Sequence, residues 1–282
     1  MMTRTADNSL NGCRYLQPFA LALLLGALSF AALANPQAGS EPTGVRNSPG
    51  SLRLNERQLQ IVVESLRQKT GFVELEFDRQ GALMLGNRQN IAGGSATARA
   101  LLQAAVDSAN LYELESQESS PELAFARIVE SVDRFIIGTS QRTTIHQVRL
   151  DFADFGYLHG AREAKTSFDI GLVLLHELTH GVLKLHDPRG GTDEIGECDA
   201  HVNQMRRESQ LPERLYYHPG ITVTQTSDGR RLVHARLVFV ERAAANAQPS
   251  AKYSLSWLAS QVAPNAQGIV GLQQGLLAAR RR

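Results

Sequence analysis

The sequence predicts an α+β fold, and three observations carry the prediction. Amphipathic helical segments and short alternating strand segments come first, a long helix that is apolar on nearly every face follows, and strands never alternate regularly with helices as a βαβ fold requires. With 282 residues and 43% apolar composition, the chain can build one large domain or two small ones around a packed core. Its 29 basic and 28 acidic residues give a formal charge of +1, so no global field points to nucleic acid or to an anionic membrane surface.

The first segment reads as a targeting signal. Arg4 and Arg14 precede the uncharged run Phe19 to Leu33, which closes on Ala32-Leu33-Ala34. A basic leader, an apolar stretch and small residues at the cleavage positions predict a signal peptide over 1–34 and an exported mature chain, periplasmic or secreted. The apolar run is shorter than the ~20 residues of a bilayer-crossing helix, so no integral membrane segment is expected once the signal is removed. Cys13 leaves with it, and the lone remaining Cys198 cannot form an internal disulfide.

Residues 35–50 are rich in Pro, Gly, Ser and Asn and predict a flexible linker before a domain over 51–242. Asn55 caps a predicted helix from Glu56 to Lys69, with Leu59, Val62, Val63 and Leu66 on one stripe and Gly71 beyond its end. Phe72 to Phe77 and Ala82 to Leu85 predict a hairpin, and a second helix is predicted from Thr97 to Ala109 with its cap near Ser95. Strand patterns follow at Leu111 to Glu115, Ala124 to Val132 and Thr143 to Phe152. Residues 51–118 are a candidate N-terminal subdomain. Beyond the motif described next, Ile221 to Thr226 and Arg231 to Val240 predict a hairpin turning at Ser227-Asp228-Gly229. The Ala-, Gln- and Gly-rich stretch 243–282 predicts a loosely held tail, with a short docking helix at Tyr253 to Val262 as the exception.

The chemistry concentrates in Thr166 to Asp187, predicted as one buried helix capped by Thr166 or Ser167 and stopped by Pro188. Within it lies His176-Glu177-Leu178-Thr179-His180. Residues four apart on a helix share a face about 6 Å apart along the axis, so both imidazoles can hold one metal ion. Neutral imidazole suits zinc, while Glu177, rotated by ~100°, is free to take a proton from a water that the ion acidifies. An inert buried helix would instead leave three polar side chains in an apolar interior, each costing a few kcal/mol (~2–7) without a partner.

Val173 to Val182 (VLLHELTHGV) resembles the extended motif of the zincin metallopeptidases, a likeness that covers one helix. The resemblance implies a zincin-like domain with its active-site helix under a mixed sheet, whose edge strand aligns an extended peptide; Thr143 to Phe152 is the candidate strand. It also implies one Zn2+ ion, Glu177 as catalytic base, and peptide or protein substrates hydrolysed outside the cytoplasm. A third metal ligand is required. Downstream, Glu197-Cys198-Asp199-Ala200-His201 resembles the Glu-x-x-Ala-Asp signature of the gluzincins, which nominates Glu197 as that ligand, with His201 standing where the family has aspartate. Asp199, His201 and Asp193 are the alternatives. Leu211 to Tyr217 resembles a Leu-Pro-x-Arg stretch ending in tyrosine in small bacterial effector-type peptidase domains, which makes Tyr216, Tyr217 and His218 candidate donors to an oxyanion. Aromatic packing beside Pro219-Gly220 is the plainer reading of each. Two other functions fit the same residues: a zinc hydrolase acting on another carbonyl substrate, and a binding protein that keeps the fold without turnover.

Overall fold

The computed structural model describes residues 43–135, 142–188, 194–242 and 248–265. The predicted signal peptide lies outside them, as does Asp193. The fold is α+β. Strands β1 (Gly44–Asn47), β4 (Leu111–Ser116), β5 (Ala126–Phe135) and β6 (Arg142–Leu150) form one sheet in the order β1-β4-β6-β5. The first three run parallel and β5 is antiparallel to β6, so the sheet is mixed. Strands β2 (Glu76–Phe77) and β3 (Leu83–Met84) form the expected small hairpin.

Helix α1 (Glu56–Thr70) starts at a reciprocal cap in which Asn55 Oδ1 accepts from Gln58 N and Gln58 Oε1 accepts from Asn55 N. It ends at Gly71, whose φ of 80° is left-handed. Helix α2 (Ala96–Val106) is capped by Ser95. Both pack with helix α5 (Ile170–Leu178) beneath the mixed sheet around Val62, Leu66, Leu102, Tyr112, Leu114, Val148, Leu150, Leu174 and Leu178. A second antiparallel sheet, β7 (His159–Gly160), β11 (Ala251–Leu258), β10 (Arg231–Glu241) and β8 (Glu213–Arg214), with β9 (Gly220–Gln225) also paired to β10, builds a second core. There Val173 and Phe168 meet Leu237, Phe239, Leu255 and Trp257. Helix α5 thus sits between two apolar clusters, which is why its sequence is apolar all round.

Five expectations need correction. The 35–50 stretch is not linker throughout, because β1 pairs in parallel with β4 and buries Val45. Residues 51–118 form no subdomain, since α1, α2 and β4 share one core with α5. The 243–282 stretch is not a tail throughout: Ala251–Leu258 is a strand, with Leu255 and Trp257 buried at alternate positions between serines, the period of a strand rather than of the docking helix. The strand over Thr143 to Phe152 is β6, interior to the sheet, with Thr143 and Ile145 buried on one face and His146, Val148 and Leu150 on the other; the edge is β5. Finally, the helix expected from Thr166 to Asp187 is broken: α4 (Arg162–Thr166) ends first, Asp169 caps α5 by accepting from Leu172 N, and a π-helical turn over Thr179–Leu183 ends it. Among the described residues no helix is long and apolar enough to cross a membrane.

Helix α3 (Phe152–Gly156) carries a fully buried carboxyl, Asp154, whose Oδ2 accepts from Phe125 N at 2.8 Å. Burial, reinforced by the charge of Asp151 and opposed by the Phe125 amide, pushes it up to about 7. The folded chain therefore keeps a proton that the unfolded chain releases near pH 4, so stability should fall as pH rises from about 4 to about 7 and level off above. Asp154→Asn keeps an acceptor for Phe125 and removes the titration. Denaturation across pH should find this variant less pH-dependent, and more stable at pH 8 by on the order of a few kcal/mol.

Candidate metal centre

The π turn after α5 creates the site. A left-handed Lys184 (φ 57°) closes the turn, its N–H returning to Thr179 O, and the chain reverses direction. Gly181 lies against the ring of Tyr112, where a Cβ would collide with Cε1. The reversal carries Asp187 back to both histidines. Asp187 Oδ1 stands 3.2 Å from His176 Nε2, and its Oδ2 stands 3.4 Å from His180 Nε2. The Tyr217 hydroxyl donates to the same Oδ2 at 2.7 Å.

These distances suit a shared ion better than a direct ion pair. Charge-assisted N–H···O bonds contract to about 2.7–2.9 Å, whereas two donors bound tetrahedrally at ~2.0–2.2 Å from zinc are held roughly 3.3–3.5 Å apart. Among the described residues Asp187 Oδ1 is also buried without a hydrogen-bond partner. His176, His180, Asp187 and Cys198 form a cluster whose donor atoms all lie within 4.8 Å of one another.

Cys198 takes a supporting place in it. Its Sγ is 3.3 Å from His180 Nδ1 and 3.9 Å from Nε2, so it lies toward the ring nitrogen that points away from Asp187. That Nδ1 also donates to Leu185 O at 2.9 Å, which leaves the lone pair on Nε2. Two imidazoles and one carboxylate thus converge, with the Cys198 thiol beside them, a donor composition that could hold zinc.

Asp199 backs the other histidine. Almost wholly buried, it sits 3.9 Å from His176 Nδ1 and binds Arg214 Nη1 at 2.9 Å and Arg206 Nη1 at 3.4 Å. Burial alone would raise this carboxyl, but the charges of Arg214, His176 and Arg206 outweigh it and hold Asp199 below its ordinary value. Arg206 is anchored in turn on Ser167 O and Asn203 Oδ1, at 2.9 and 2.8 Å. Asp199→Asn should lower metal affinity ~10–100-fold in a chelator competition, as loss of an outer carboxylate does elsewhere. Uncompensated arginines should also lower stability to denaturant by about 3 kcal/mol or more.

Glu177 stays outside the donor set. Its Oε2 accepts from Ile128 N on β5 at 2.9 Å. Burial pushes its carboxyl up, against the charges of His176 and His180 and the Ile128 amide. Tyr217 lies over His176, their ring centroids 6.3 Å apart, with His218 edge-on to Tyr217. Burial and the Asp187 charge push the Tyr217 phenol up, so it remains a proton donor. Two cavities meet at Glu177 and Tyr217. One, of about 300 Å³, is walled by Phe125, Phe168, Val173, Leu237 and Trp257; the other, of about 600 Å³, runs along β5 past Ser131 and His146.

The structure brings His176, Glu177, His180, Tyr217 and His218 close together. It does not bring Glu197. Helix α6 (Gly196–Glu208) buries Cys198, Asp199, Val202, Met205 and Arg206, and Glu197 lies exposed off that stripe, its Oε2 accepting from His186 N at 3.1 Å. His201, one turn on, shares Glu197's face and likewise stays outside the donor cluster. Asp199 is adjacent as a support, and Tyr216 lines neither cavity. The residue missed from the sequence is Asp187. Pro188 was the signal: the residue before a proline is driven out of the helical region, so Asp187 could not continue the helix.

Comparison with known proteins finds no matching family, no matching curated protein and no matching solved structure.

Proposed function

We propose that this chain is a zinc-dependent peptidase of the zincin kind, with His176, His180 and Asp187 as metal ligands and Glu177 as general base. The observation that carries the reading is that Asp187 stands at metal-sharing distance from both histidines with its Oδ1 buried and unpartnered among the described residues, while the motif's glutamate is left out of the set. Asp187 here replaces Glu197, the ligand that the gluzincin resemblance nominated. When bound, zinc would supply Lewis acidity that lowers the pKa of water and polarises a carbonyl.

The remaining steps belong to the chain's own residues. Glu177 takes the proton of the attacking water and delivers it to the leaving amine. The Tyr217 hydroxyl, which donates to Asp187 Oδ2 in the resting site, would turn from that carboxylate to donate to negative charge developing on the substrate oxygen. The edge of β5, which pairs with no other strand among the described residues, offers its remaining main-chain groups to an extended peptide, which is added as a further strand. His180 Nδ1 on Leu185 O fixes one ring, and the Asp199 charge 3.9 Å from His176 Nδ1 favours a proton on that nitrogen, which leaves the Nε2 lone pair of His176 for the ion.

Export completes the proposal: the mature chain is expected to begin at Asn35 outside the cytoplasm, which N-terminal sequencing of material from expressing cells tests directly. The activity itself is tested by loading the purified chain with one equivalent of zinc and assaying a quenched peptide library. Zinc-dependent cleavage supports the peptidase. Bound zinc with turnover only of non-peptide esters or amides would make it another zinc hydrolase, and bound zinc with no turnover would leave a binding protein.

A further inference from the structure

The edge strand β5 carries one residue too many for its partner. Ile128 pairs with Val148 and Glu130 with Gln147, so Val129 stands unpaired as a bulge. A bulge bends its strand and re-aims the groups beside it, and this one lies where β5 passes the active-site helix. The neighbouring Ile128 N–H turns to Glu177 Oε2 at 2.9 Å. Among the described residues this is the only hydrogen bond that the Glu177 side chain makes.

The approach to Ile128 is fixed as tightly. Phe125 is left-handed, with a φ of 62°, a conformation costing a bulky residue roughly 1–3 kcal/mol unless its surroundings enforce it. Three contacts do so. Asp154 Oδ2 takes the Phe125 N–H at 2.8 Å, Phe125 O takes the Asp151 N–H at 2.8 Å, and the Phe125 ring is packed edge-on among Phe155, Phe168 and Trp257. Strain at Phe125 and irregularity at Val129 therefore bracket the one amide that reaches the glutamate. Neither feature improves the sheet; together they place a main-chain donor at a chosen point.

We propose that the Val129 bulge makes the Ile128 backbone N–H a positioning group for Glu177, anchoring one carboxylate oxygen and leaving the other for proton transfer. The inference rests on the peptidase reading for its effect on turnover but not for the contact itself. A flexible glutamate would have to be ordered in each cycle; one held by a fixed amide is ordered in advance.

Ile128→Pro removes the donor without breaking a bond to β6, because proline is tolerated on an edge strand where its nitrogen faces away from the partner, and its ring carbon takes the place of the N–H so that the carboxylate must leave that point. Compared with Ile128→Ala, which keeps the N–H, the proline variant should bind zinc equally well. It should show kcat roughly ten- to a hundredfold lower, the scale of losing a hydrogen bond to a charged group, with KM within about threefold. A second measurement needs neither turnover nor the proline variant. In the metal-free protein, amide hydrogen exchange at Ile128 should be slow for an edge strand, remain slow in Glu177→Gln, which keeps an acceptor, and speed up at least about tenfold in Glu177→Ala. Equal kcat in the proline and alanine variants would overturn the positioning role, and so would Ile128 exchange indifferent to Glu177→Ala. If the zinc-loaded wild type cleaves no peptide, the peptidase reading fails instead, and the exchange rates still decide whether Ile128 holds the glutamate.

Discussion

Asp187→Ala is expected to bind zinc at least about a hundredfold more weakly than the wild type, since even an outer partner of a ligand is worth ~10–100-fold and Asp187 stands among the donors themselves. Glu197→Ala should stay within a few fold, because among the described residues the Glu197 side chain holds only the His186 amide. The contrast separates the Asp187 ligand set from the Glu197 set that the gluzincin resemblance nominates, and a chelator-competition titration of both variants measures it. Loss of the carboxylate also removes the acceptor of Tyr217, so the phenol would be released from its 2.7 Å contact. If Glu197→Ala proves the weaker binder, the donor set assigned to this site is wrong.

Glu177→Gln is expected to keep zinc and lose turnover by about 10²–10⁴-fold, the usual contribution of a general base. The amide still accepts from Ile128 N, so the fold at β5 is undisturbed and the loss reports proton transfer alone. Metal content and kcat should be measured on the same preparation. Undiminished activity would remove Glu177 from the mechanism, while loss of zinc together with activity would place the carboxylate among the ligands.

Much of this architecture is legible in the chain because local rules and tertiary packing agree. Asn55 and Ser95 cap helices where their side chains can satisfy the first free amides, and the hairpin through Asp228-Gly229 pairs β9 with β10 in the expected order. His176, Glu177 and His180 are picked out by the His-Glu-x-x-His motif and the four-residue spacing of its histidines, although His180 lies in the π turn. What was not legible depends on the chain leaving that periodicity. The π turn and the left-handed Lys184 carry no strong residue preference, so the return of Asp187 rested on the indirect mark of Pro188.

Helix α6 shows the opposite error. A family-like signature nominated Glu197, although the apolar stripe of Cys198, Val202 and Met205 already turned that glutamate outward. Strands β1 and β11 were hidden by composition: Gly44 and Val45 sit in a Pro- and Gly-rich stretch, and Ser254 and Ser256 dilute the alternation around Leu255 and Trp257. Pairing with β4 and β10 supplies the stabilisation that their own residues do not advertise.

Anomalous diffraction at the zinc edge, recorded from crystals of the mature chain grown with one equivalent of zinc, tests the central assignment most directly. The account predicts a single strong peak ~2.0–2.2 Å from His176 Nε2, His180 Nε2 and one Asp187 oxygen, with Glu177 beyond bonding distance. A peak on Glu197, or density showing the two imidazoles and Asp187 joined with no ion between them, would contradict it.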